Sequence, residues 1–141
     1  MDKCCKTAAG YVAALRAIYI IHQQKHWLSK GDSFYGNHLM FQRLYESAQK
    51  DLDLAAEKFI GLFGDECLDL NLQNQLLSKL LSKFNDEDNN LAVEKDFLVF
   101  TNHAYECFKS EGKLTKGLDD MIMSIASNRE EAIYLLSRSH L

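Results

Sequence analysis

Apolar residues recur at three- and four-residue spacing along most of this chain, the pattern of helices that each bury one face. Tyr11, Ala14 or Leu15, Ile18, and Ile21 or His22 mark the first stripe and predict a helix from about Asp2 to Leu28. Gly31 suits the turn after it, and Asp32 or Ser33 can cap a second helix from Phe34 to about Phe63. That helix carries Leu39, Phe41, Leu44, Tyr45, Ala48, Leu52, Ala55, Ala56, Phe59 and Ile60, with Gly61 and Gly64 marking its stop. The stretch from Asp65 to Asn90 is too long for a simple turn. Its own stripe of Leu76, Leu77, Leu80, Leu81 and Phe84 makes it a crossover carrying a short helix. The polar run Asn85-Asp86-Glu87-Asp88-Asn89-Asn90 reads as an exposed loop ending in a cap. A long helix from Leu91 to about Ser110 follows and is stopped by Gly112. Thr115 caps the last one, whose stripe is Leu118, Met121, Ile122, Ile125, Ala132, Ile133 and Leu136.

Composition agrees with this reading. The chain has 141 residues, 47% of them apolar, which is enough for one core and argues for a single domain over 1–141. With no proline and only seven glycines, long unbroken helices are expected and the fold class is all-α. Two long helices, a long connection, then two more long helices is the topology of a ferritin-like four-helix bundle, here with a short extra helix in the crossover between the second and third long helices.

A net charge of −4 and a pI near 5.7 exclude recognition of nucleic acid by the surface as a whole. Neither terminus is a basic arm, so DNA binding is not expected. The apolar run Tyr11 to Ile21 is interrupted by Arg16 and keeps helical spacing, so no signal peptide is expected, and it is too short for a membrane span, which leaves the cytoplasm as the expected compartment. Cys4, Cys5, Cys67 and Cys107 show no CxxC spacing and are expected as reduced thiols, with Cys4 and Cys5 in a frayed terminus.

Four metal-ligating side chains fall within the first two helices: His26, His38, Asp53 and Glu57. His26 and His38 are nearly equidistant from the turn and would face each other across an antiparallel hairpin. Asp53 and Glu57, four residues apart, form one carboxylate pair on one helix face. At 1.5 Å per residue, His38 and Asp53 lie about 22 Å apart on one helix, so they cannot share an ion within one chain. A two-fold dimer with antiparallel helices would join the His end of one chain to the acid end of the other, twice.

The segment His26-Trp27-Leu28-Ser29-Lys30-Gly31, followed by Phe34, His38, Phe41, Leu44-Tyr45, Asp53 and Ala56-Glu57, resembles the Dps family of mini-ferritins. The resemblance is dense over about residues 22 to 60, and the topology agrees over the remainder. It implies a hollow homo-oligomer of twelve subunits built from two-fold dimers. Such shells oxidise Fe(II) with hydrogen peroxide or dioxygen and store the ferric product. It also implies a ferroxidase centre, both catalytic and metal-binding, made of His26 and His38 from one subunit and Asp53 and Glu57 from its partner, with Trp27 beside it. Imidazole and carboxylate donors suit iron, and zinc is an alternative ion for the same set. Asp119 and Asp120, at the start of the last helix, would line a pore that draws iron inward.

One position departs from the family. Members commonly carry an Asp one helical turn after the second His, and here that residue is Gln42, whose amide is a poor iron ligand. This puts the second ion position in question, with His22 or Glu46 as candidate replacements. The competing reading is a non-catalytic metal-binding or structural bundle whose ferroxidase activity is weakened by Gln42. No Glu-x-x-His pair is present, so a di-iron centre inside the bundle is not expected.

Overall fold

Asp2 opens the first helix by accepting the Cys5 N–H through its carboxylate, so α1 runs Lys3–Leu28 with an ordered start. The computed structural model describes residues 1–84 and 89–139, and the expected polar loop at 85–88 lies outside them. A bend in which Gly31 adopts φ +93° leads to α2, Phe34–Phe63. A 3₁₀ turn, Asp65–Leu68, and a 14-residue helix α3, Leu70–Lys83, form the crossover, with Asp69 capping α3 through the Leu72 N–H. Then come α4, Asn89–Ser110, and α5, Lys116–Arg138, the latter capped by Thr115 as its sequence predicts. Asn89 and Asn90 belong to α4 itself rather than to a loop, and Asn90 is buried.

The long helices α1, α2, α4 and α5 pack as a four-helix bundle, and α3 lies across α1. Gln73 fixes that crossing by donating its amide to the Ala9 carbonyl at 3.1 Å. Gly10 permits close packing on the same face of α1, because a Cβ there would stand 3.3 Å from the Phe100 ring. One large apolar core surrounds Tyr11, Leu15, Ile18, Phe59, Phe97 and Phe108, and a smaller one of Phe41, Leu44, Ala132 and Leu136 fills the end nearest the α1–α2 bend. By length and composition α1 could cross a membrane, contrary to the expectation from its apolar run, yet in the bundle its apolar face is core.

The centre of the bundle is charged. Arg129 of α5, fully buried, sets its Nε 3.1 Å from Glu94 of α4 and its Nη1 3.5 Å from Asp51 of α2, and also reaches Ser47. His22 of α1 meets the other oxygen of Glu94 at 2.9 Å, and Asn90 donates to His22 Nδ1 at 2.8 Å. Since Asn90 supplies the proton there, His22 carries its own on Nε2 and donates it to Glu94. One polar network therefore ties all four long helices. Its sequence signal is a gap in the α5 stripe, where Arg129 falls between Ile125 and Ala132.

The thiols differ from expectation. The terminus does not fray: Cys4 and Cys5 are buried, and Cys5 is joined to Cys67 in a disulfide across 62 residues of sequence, a pairing that spacing along the chain could not reveal.

Two outcomes follow from the charged centre. Arg129→Ala leaves Glu94 and Asp51 buried without their cation and should cost about 3–5 kcal/mol in urea unfolding. Burial holds the Asp51 carboxyl above its ordinary value of 3.8 despite the opposing pull of Asn128 and Arg129. A carboxyl raised in the fold contributes its full stability below the unfolded value and loses it as pH climbs through the raised one. Urea midpoints measured upward from pH 4 should fall less steeply in Asp51→Asn than in wild type.

Candidate metal centre

The bend between α1 and α2 brings His26 and His38 face to face, with ring centroids 3.7 Å apart and planes within 19° of parallel. Each ring is held by the other's backbone. His26 Nδ1 lies 2.7 Å from the His38 carbonyl, and His38 Nδ1 lies 2.8 Å from the His26 carbonyl. A carbonyl oxygen only accepts, so both Nδ1 atoms carry protons, and in the neutral form of each ring Nε2 keeps its lone pair. This is the tautomer a metal-ligating histidine uses, with the second nitrogen anchored to fix the ring. Tyr45 meets His26 edge-on at 5.3 Å and Phe34 stacks on His38 at 5.0 Å, so the pair is gripped from both sides.

Asp53 and Glu57 are exposed on α2, and among the described residues neither has a hydrogen-bond or ion-pair partner. On an ideal helix His38, Gln42, Glu46, Asp53 and Glu57 all fall within about a third of the circumference, opposite the buried stripe of Phe41, Leu44, Ala48, Ala55 and Phe59. The acid pair thus shares its helix face with the histidine end. Because α2 is unbroken between them, the two halves stay about 22 Å apart within the chain. Among the described residues of one chain, no three His, Cys, Asp or Glu side chains are disposed to hold one ion.

The remaining candidates take distinct places. His22 lies inside the bundle with both ring nitrogens engaged, one turn deeper than His26. Gln42 donates its amide to Glu46 Oε1 at 3.0 Å, which turns its carbonyl oxygen free and occupies one oxygen of Glu46. Trp27 is 63% exposed beside His26, and Leu28, Phe34, Tyr35 and Leu39 extend an uncovered apolar patch around the bend. Asp119 accepts from the Tyr105 hydroxyl at 3.4 Å near the start of α5, and Asp120 is exposed.

These features define an all-α ferritin-like bundle with a histidine pair at its hairpin bend. No family model and no curated protein sequence matches the chain. Solved structures do. It superimposes on Dps from Thermosynechococcus elongatus with a TM-score of 0.78 at 16% identity, covering 96% of this chain and 88% of that one. An archaeal Dps homologue from Halobacterium salinarum gives 0.77 at 17% identity, over 99% and 82% of the two chains. A Dps protein from Bacillus brevis gives 0.75 at 17%, over 97% of each. The fold is Dps-like.

The ring arrangement has a direct spectroscopic consequence. Nitrogen-15 spectra of the metal-free protein should place His26 and His38 in the Nδ1–H tautomer and His22 in the Nε2–H tautomer; His26 or His38 in the opposite form would refute the reading of the pair.

Proposed function

We propose that the chain is the subunit of a mini-ferritin, which binds Fe(II), oxidises it with hydrogen peroxide or dioxygen, and stores the ferric product within a homo-oligomeric shell. The observation that carries this reading is the stacked His26–His38 pair. Both Nδ1 atoms are anchored, yet among the described residues of its own chain no carboxylate completes a metal site with it, and among them Asp53 and Glu57, on the same helix face, have no partner. An isologous dimer completes both halves and covers the patch around Trp27 and Tyr35. Repeating such dimers gives the closed shell, of twelve subunits by resemblance, with Asp119 and Asp120 at the pores through which iron passes. The acidic chain suits a role in the cytoplasm without DNA.

Geometry also bears on how many ions each centre takes. An imidazole lone pair lies in the ring plane, so nearly parallel rings 3.7 Å apart cannot aim both Nε2 atoms at one ion. Each histidine then serves its own Fe(II), with Asp53 and Glu57 of the partner supplying the negative charge. His26 holds the firmer position. The His38 position is weaker, because Gln42, one turn along, offers only an amide oxygen where a carboxylate would neutralise charge. Two Fe(II) would give up one electron each to one peroxide, which takes two protons and leaves as two waters. Pairing the electrons in this way avoids release of hydroxyl radical.

Two assays test the reading. Anaerobic peroxide added to Fe(II)-loaded protein should oxidise two Fe(II) per peroxide in a fast phase that His38→Ala and Glu57→Ala each reduce at least tenfold. A wild type no faster than buffer would leave a structural or metal-binding oligomer in its place. Gln42→Asp should tighten the second Fe(II) measured by anaerobic titration and speed the fast phase several-fold, whereas unchanged binding would remove Gln42 from the site.

A further inference from the structure

All four cysteines gather at the end of the bundle opposite the histidine pair, although they lie at positions 4, 5, 67 and 107. Cys5 and Cys67 are already joined, which ties the start of α1 to the 3₁₀ turn after α2. Cys4 points elsewhere, as adjacent residues on a helix must. Thr7, one turn further along α1 and on the side of Cys4, meets Cys107 of α4 at 3.3 Å. The Thr7 hydroxyl spends its only proton on the Lys3 carbonyl at 2.9 Å, so the Cys107 thiol donates to Thr7 and its sulfur is held against α1.

We propose that Cys4 and Cys107 form a second dithiol site, one that accepts a two-electron oxidising equivalent from hydrogen peroxide and closes a second disulfide between α1 and α4, beside Cys5–Cys67.

Exposure sets the order of events. Cys107 is partly exposed and meets the oxidant, whereas Cys4 is 4% exposed and serves as the resolving thiol. At Cys107 an S–O bond forms as the peroxide O–O bond breaks, and the departing hydroxide takes the thiol proton as water. Cys4 sulfur then attacks Cys107 sulfur. The S–S bond forms, the S–O bond breaks, and the second hydroxide leaves with the Cys4 proton as another water. Two thiols are oxidised and one peroxide is reduced. Burial, with Cys107, Asp2 and Glu111 nearby, holds the Cys4 thiol above its usual range, so Cys4 is not the thiol that peroxide attacks; in the resolving step its proton passes to the hydroxide leaving Cys107. The site therefore keeps its thiols in mild conditions and closes under peroxide, fastening α1 to α4 when the protein meets the oxidant.

The test uses the full chain freed of iron with a chelator, so its outcome is independent of the ferroxidase reading. After one equivalent of hydrogen peroxide, free thiols are counted under denaturing conditions and the alkylated protein is mapped without reduction. Cys4 and Cys5 share one tryptic peptide, Cys4-Cys5-Lys6. The expected product is therefore a species of three peptides joined by two disulfides, with the thiol count lower by two per chain. Peroxide should raise the melting temperature of wild type and leave that of Cys107→Ser unchanged. In Cys5→Ala, which isolates the new bond, the tripeptide should link to the Cys107 peptide alone. Unchanged thiols, Cys107 carried to sulfinic acid with Cys4 free, or a crosslink between chains would each overturn the proposal.

Discussion

Everything in the bundle is arranged around one buried cation. Arg129 stands between Glu94 and Asp51 with no exposure to solvent, and His22, Asn90, Asn128 and Ser47 complete the ring of partners. Charges in such a place are tolerated only when paired, so each of the four long helices must arrive in one register or leave an ion without its counterpart. An apolar core alone would permit sliding by a turn. His22 belongs to this network, and its position one turn before His26 fixes where the end of α1 stands relative to α2.

From that register the histidine pair follows. The reciprocal bonds between each Nδ1 and the other residue's carbonyl exist only if α1 and α2 meet with His26 level with His38, which the bend through Gly31 allows. The same continuity of α2 that supports the pair carries Asp53 and Glu57 away from it. A single rigid helix thus keeps the histidine pair and the acid pair about 22 Å apart within the chain. The aromatic patch at the bend lies beside the same pair, with Phe34 stacked on His38 and Trp27 and Tyr35 left largely exposed.

The two ends of the bundle have opposite characters. At one, two stacked imidazoles are anchored by their Nδ1 atoms to backbone carbonyls. At the other, sulfur chemistry ties α1 to its neighbours through Cys5–Cys67, with Cys4 and Cys107 alongside. The charged centre lies between them.

Helices were legible in the sequence because their periodicity is local: α1, α2 and α5 run nearly where their stripes place them, with Thr115 capping α5 but Ser33 making no side-chain cap bond at α2, and the short helix in the crossover was visible from its leucines. Spacing along a helix is likewise local, so the face shared by His38, Asp53 and Glu57 could be read without a structure, as could the inability of the two halves to meet in one chain. What the sequence could not determine is what depends on contacts between distant segments. The Arg129 network, the Cys5–Cys67 bond, the engagement of both His22 nitrogens and the gathering of four cysteines at one end join residues far apart in the chain, Cys4 and Cys107 among them. Periodicity says which face a residue occupies, whereas only tertiary packing decides which other residue it faces. Proton placement on His26 and His38 belongs to the second kind, because it is set by a carbonyl on the neighbouring helix.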